Sequence, residues 1–116
     1  MHIHHLYEDE NGEAHWGDLE VEWTEQTVGG PQSERTPASG VIFRQMPASY
    51  DLDWHPAPRR QYIVILDGTV QITASDGEVR VLNTGEMALL EDIAGQGHRS
   101  KNLGGRPYHT LFVALD

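Results

Sequence analysis

Between Tyr62 and Leu90 four short runs, YIVIL, TVQITA, EVRVL and EMALL, are separated by Asp67-Gly68, Ser75-Asp76-Gly77 and Asn83-Thr84-Gly85. That punctuation constrains the fold more than any other feature of the chain. Asp-Gly between apolar runs marks a tight hairpin, because the turn needs a positive φ that Gly adopts without steric cost. Alternation at period two recurs elsewhere, and no segment keeps an apolar 3.6-residue period for the length of a helix. The expectation is an all-β chain of short antiparallel strands.

The same pattern extends in both directions. Leu19, Val21 and Trp23 alternate with Glu20 and Glu22, which predicts a strand with one dry and one acidic face. After Gly29-Gly30-Pro31 a polar loop runs to about Ser39; VIFRQM then opens the next strand and YHTLFVAL closes the chain. Many short strands without helices imply a closed barrel or a double-sheet sandwich, either of which protects strand edges. Residues 1–40, richer in acids and turn residues, are expected to form an extension packed on a barrel of residues 41–116.

Composition narrows the function classes. A chain of 116 residues holds one modest core, and the absence of cysteine removes disulfides, thiolate metal sites and cysteine nucleophiles. With a net charge of −10, nucleic acid is a poor partner. No stretch reaches transmembrane length and no basic-then-apolar leader is present, so a soluble, cytoplasmic protein without membrane contact is expected. The charge is uneven: residues 1–26 carry eight acids and no Lys or Arg, whereas Arg59, Arg60, Arg99, Lys101 and Arg106 fall later.

Two segments resemble the motifs of the cupin family. In the first, His55, Ala57, Gln61 and Gly68 hold the places of the family's His, His, Glu and Gly at its spacing, without the leading Gly. In the second, Gly85, Gly95, His98 and Asn102 fit, with two extra residues between and Ile93 where the family has Pro. The match spans roughly residues 54–102. It implies a cupin-like double-stranded β-helix, a jelly-roll barrel with an N-terminal strand extension. It also implies a homodimer, paired through N-terminal strands with Val21–Trp23 offering an edge.

Strand parity gives the first motif its physical sense. Side chains at i and i+2 share a face, so positions 55, 57, 59 and 61 are all expected to point into the barrel, although Pro56 and Pro58 interrupt the ladder. In an intact cupin these positions and the second-motif His give one ion three imidazoles and a carboxylate. Here Ala57 offers nothing and Gln61 offers a neutral amide. A metal set of His55, Gln61 and His98 brings no negative charge to a divalent cation such as Fe, Mn, Ni or Zn, so binding is expected to be weak or absent. His109, which shares parity with Leu111, Val113 and Leu115, is either a rescuing third imidazole or a core histidine with a local hydrogen bond.

The remaining candidates each carry two readings. Arg59, at inward parity, either holds a ligand's anion or pairs with the acidic extension. For Arg60, Arg99, Lys101 and Arg106, pairing with acids is the simpler reading. Asp92 either orients an imidazole or serves as an acid–base group near the pocket mouth, or it caps the turn before His98, the cap being the simpler. His2, His4 and His5 read as a strand start or a cloning remnant, and His15 as a turn residue able to fold over a barrel mouth. Trp16, Trp23 and Trp54 read as core or interface anchors.

The function this supports is binding of a small anionic organic molecule in the barrel, with its transformation left open. His55 and His98 would move protons, while Arg59, Gln61, His109 and Asp92 contact the ligand. A metal-dependent oxygenase, isomerase or lyase is the alternative, and a non-catalytic binding or sensory module the third class.

Overall fold

In the computed structural model, which describes residues 1–115, twelve strands form three sheets. They are β1 (His2–Glu8), β2 (Ala14–Glu20), β3 (Glu25–Thr27), β4 (Gly30–Gln32), β5 (Gly40–Met46) and β6 (Asp51–His55). Then follow β7 (Gln61–Asp67), β8 (Thr69–Ala74), β9 (Val79–Asn83), β10 (Met87–Leu90), β11 (His98–Asn102) and β12 (Tyr108–Ala114). A six-stranded sheet runs β2-β1-β10-β7-β12-β5, and a four-stranded sheet runs β6-β11-β8-β9. The all-β expectation holds, and the two sheets enclose the core as in a jelly roll. No helix of the described residues is long and apolar enough to cross a membrane.

Of the Gly-containing turns, Ser75-Asp76-Gly77 closes a hairpin as expected, whereas Asp67-Gly68 and Asn83-Thr84-Gly85 carry the chain from one sheet to the other. β8 pairs with β9 from Thr69↔Asn83 to Thr73↔Val79, which turns Val70, Ile72 and Leu82 inward. At Gly68, φ is +95° and an added Cβ would lie 2.3 Å from the Cβ of Tyr108, so the β7–β8 turn has room only for glycine. The interior is filled by Leu6, Ile63, Ile65, Val70, Ile72, Leu82 and Leu90, with Tyr108 and Met46 beside them.

The N-terminal segment is part of this sheet. β1 pairs in parallel with β10 through His4↔Ala88 to Leu6↔Leu90, and Leu6 is fully buried. His2, His4 and His5 therefore belong to a folded strand, as the strand-start reading has it. The strand expected over residues 19–23 stops at Glu20 instead. His2↔Glu20 is the last pair, and beyond Val21, whose N–H donates to the Met1 carbonyl, β1 has no more backbone to offer. The polar stretch after it contains a small hairpin, β3 with β4, that the sequence had read only as a loop.

A second apolar cluster lies on the outer face of the six-stranded sheet. There Ile3, Leu89 and Leu115 are buried against Val21, Tyr62, Met87 and Val113. Both faces of that sheet are apolar, and this matters for reading its side chains.

Candidate functional site in the barrel

His55 ends β6 and His98 begins β11, and the two are direct cross-strand partners. Their ring centroids lie 4.4 Å apart at 58°. The approach depends on Gly97, where φ is +80° and a Cβ would sit 2.1 Å from the His55 carbonyl oxygen. Only a residue without a side chain lets β11 close onto β6 there.

Each imidazole is held by its Nδ1. His55 Nδ1–H donates to the backbone carbonyl of Asp53 at 2.7 Å, a bond that fixes the tautomer because a carbonyl only accepts. His98 Nδ1 lies 2.5 Å from Asp92 Oδ2. Both rings are thereby left with Nε2 as the free nitrogen. Burial pushes His55 below the ordinary imidazole value of 6.5, and the neighbouring His98 adds to the effect, against the Asp53 bond.

Asp92 therefore takes the orienting role and not the cap. The turn's amides go to a different carboxylate: Ala94 N–H and Gly95 N–H donate to Glu8 at 3.0 and 2.8 Å. Asp92 is fully buried, its backbone carbonyl accepts from Ala57 N–H at 3.0 Å, and its Oδ1 has no protein partner. A buried carboxylate oxygen left unpaired costs about 1–3 kcal/mol, which a turn cap would not require.

The strand parity expected for residues 55–61 does not hold. β6 ends at His55, the segment 56–60 with its two prolines is a loop, and Gln61 starts β7 in the other sheet. Pro56 and Pro58 supply no N–H, so no ladder can run through them. Ala57 and Gln61 are buried all the same, while Arg59 is exposed on the loop and reaches back to donate from Nη1 to Gln61 Oε1 at 3.2 Å. Arg60 pairs with Glu91 at 2.6 Å, as the pairing reading has it. Among the described residues Arg99 and Lys101 have no carboxylate partner, against that reading.

His109 is not in the site. It is exposed, and its ring and N–H both bond Asp67, at 2.9 and 2.7 Å. Parity with Leu111 and Val113 put it on the wrong side because the outer face of this sheet is as apolar as the inner one. The inward residues of β12 are Tyr108, Thr110 and Phe112. His15 bridges Asp9 and Asp76, each at 2.8 Å.

Sequence reading missed Arg44. On β5 it is opposite Thr110, on the face of Met46, with its guanidinium 5.1 Å from the Phe112 ring centroid. Its charge acts on His55 and on Tyr108. The available signal was a charge at core parity within VIFRQM, between Ile42 and Met46. Beside Arg44, the Thr110 hydroxyl is buried without a partner. Asn102 of the second motif is structural, donating to the carbonyls of Pro47 and Arg106 at 3.1 and 2.7 Å.

The geometry can be compared with known structures. Neither a sequence-family model nor a curated protein matches the chain by sequence. Among solved structures, the cupin domain of Schizosaccharomyces pombe Cnp3 is similar, with a TM-score of 0.55 at 14% identity, over 89% of this chain and 73% of that one. The chain has the cupin fold. Protein NMB1881 from Neisseria meningitidis (TM-score 0.53, 17% identity, 66% of this chain and 72% of that one) is also similar. So is the SPY1581 protein of Streptococcus pyogenes (0.51, 15%, 72% and 69%).

Cupins as a family imply a metal, and the donors here do not fit one. The Gln61 oxygen is taken by the Arg59 guanidinium, and a second cation, Arg44, acts on His55. The one nearby carboxylate, Asp92, holds His98 Nδ1 and so lies across the ring from the free Nε2. The described residues bring three His, Asp or Glu donors within 4.8 Å only at His2, His4 and Asp18, outside the barrel. The chain has a carboxylate and a carbonyl orienting the two imidazoles, while Ala57 and Gln61 bring no imidazole or carboxylate to them.

Proposed function

We propose that the barrel binds a small organic anion and moves a proton on it with His98 and His55, without a tightly held metal. The observation that carries this is the pair of imidazoles, both tied at Nδ1, with the Arg44 charge acting on His55; neither Arg44 nor Arg59, which holds Gln61, has a carboxylate partner among the described residues. Arg59 and Arg44 hold the ligand's charge, since a planar guanidinium binds a carboxylate or phosphate through paired N–H donors. His55, kept neutral by burial, accepts a proton at Nε2. Asp92 keeps His98 in the tautomer whose Nε2 faces away from it. We take the working form to be a homodimer.

One set of experiments tests the reading. Calorimetry compares succinate and pyruvate with their neutral amides on wild type, Arg59→Ala and Arg44→Ala. Each variant is expected to weaken a carboxylate about tenfold and its amide hardly at all, the loss of one charge-assisted contact. Deuterium exchange at pyruvate's methyl group reads proton transfer, and it should vanish in His98→Asn. Binding that survives without any exchange leaves the non-catalytic module. Near-stoichiometric iron, manganese, nickel or zinc in untagged protein, lost in His98→Ala, would establish the metal-dependent reading instead.

A further inference from the structure

β11 presents a second chemistry on its other face. His98 and Ser100 turn into the barrel, while Arg99 and Lys101 turn outward, opposite Thr73 and Gln71 of β8. Trp54 joins them from β6, and Arg99 lies over its ring at 5.7 Å from the centroid. Together these groups line a groove of about 330 Å³ on the outer face of the four-stranded sheet, with Asp51 at its edge. Among the described residues the side chains of Lys101, Gln71, Thr73 and Asp51 have no hydrogen-bond partner, and Arg99 has only the tryptophan. Asp51 on β6 is the cross-strand partner of Lys101, but the two form no ion pair, and among the described residues Arg99 meets none either, so both cations face the groove uncompensated. Asp76, also at the groove, is already engaged: His15 holds its Oδ2 and Glu78 N–H its Oδ1.

We propose that this groove is a second binding site, separate from the barrel, for a polyhydroxylated anion: a sugar bearing a phosphate or a carboxylate. The two cations meet the oxyanion, and charge-assisted contacts of this kind are the strong ones. The Gln71 amide and Thr73 hydroxyl both donate and accept, and Asp51 only accepts, which suits an array of hydroxyl groups and not a bare ion. Trp54 offers an apolar surface beside polar partners, the usual composition of a small-ligand site. Because Trp54 and His55 are neighbours on β6, and Arg99 and His98 on β11, the groove stands back to back with the imidazole pair.

The test uses the intact chain, with glucose 6-phosphate, glucuronate, glucose and inorganic phosphate as probes, followed by amide and indole NMR shifts. Glucose 6-phosphate or glucuronate should move the Trp54 indole and the amides of Arg99 and Lys101, and whichever binds tighter identifies the anion. Arg99→Ala and Lys101→Gln should each weaken that binding about tenfold, as loss of one charged contact does. His98→Ala should leave it unchanged, since that residue faces the barrel. Inorganic phosphate binding as tightly as the sugar phosphate would overturn the hydroxyl part of the proposal. Shifts that persist in both cation variants, or no shift with any probe at millimolar concentration, would overturn it entirely.

Discussion

Six of the seven histidines lie against a carboxylate: His2, His4, His5, His15, His98 and His109. His55 lies against a backbone carbonyl instead, and its protonation is pushed the opposite way from that of His15. At His15 the bond to Asp9, then that to Asp76, raises the imidazole above its ordinary 6.5. The folded chain thus holds this proton more firmly than the unfolded one. The stabilisation is complete below 6.5 and fades as pH rises through the raised value. At His55 burial lowers the value, so the unfolded chain takes up the proton first and stability falls as pH drops below 6.5. Imidazole NMR should show His15 titrating above 6.5 and His55 below it, and thermal unfolding of His15→Asn should lose the alkaline decline. A His15 that titrates at or below 6.5 would remove the latch between the β1–β2 and β8–β9 turns from this account.

The strands that hold the site depend on a close approach that sequence pattern marks but does not explain. Gly97→Ala puts a Cβ against the His55 carbonyl in a backbone conformation that L-residues rarely adopt, so β11 must draw back from β6. The expected result is a loss of about 1–3 kcal/mol in denaturant unfolding together with loss of contacts between the His55 and His98 rings in NMR. Unchanged ring contacts would show that the pair does not need this glycine. At the same scale, much of the fold was legible. TVQITA is β8 residue for residue, and Ser75-Asp76-Gly77 gave the β8–β9 hairpin, because turn chemistry and period two are local physics. Asp67-Gly68 is a tight turn too, but β7 and β8 go to different sheets, which turn chemistry does not decide. The site was legible only in part. His55 and His98 follow from motif spacing, but the run from 55 to 61 crosses two prolines and changes sheets, which parity cannot follow. His109 and Arg44 failed for complementary reasons. An apolar outer face made His109 look internal, and a charge on an apparently apolar strand hid that Arg44 faces inward.

For the whole molecule, the six-stranded sheet poses a problem that a lone chain does not solve. Its inner face is the core, yet its outer face carries Ile3, Leu89, Val113 and Leu115, and the free edge β5 adds Val41 and Phe43, 54% and 78% exposed. An antiparallel sheet bounded by water on one side normally alternates apolar with polar, so apolar residues on both faces call for a cover. The segment after β2 covers one end, leaving a groove of about 450 Å³ beside Trp23, Tyr62 and Met87. The homodimer proposed above would cover the remainder with a second copy of the chain. A molecule of charge −10 meets its own copy at least cost where charge is sparse, and the outward side chains of β5 and β12 next to Phe43 and Val41 are Gln45, Leu111 and Val113. A stable contact needs about 800 Å² from each partner, within reach of two adjoining strands and their edge. Light scattering of the untagged chain should give twice its 13.0 kDa mass, and Phe43→Glu should return it to the monomer with its melting behaviour largely kept. A wild-type monomer at micromolar concentration, or a dimer indifferent to Phe43→Glu, would assign this face to some other cover and leave β5 an open edge.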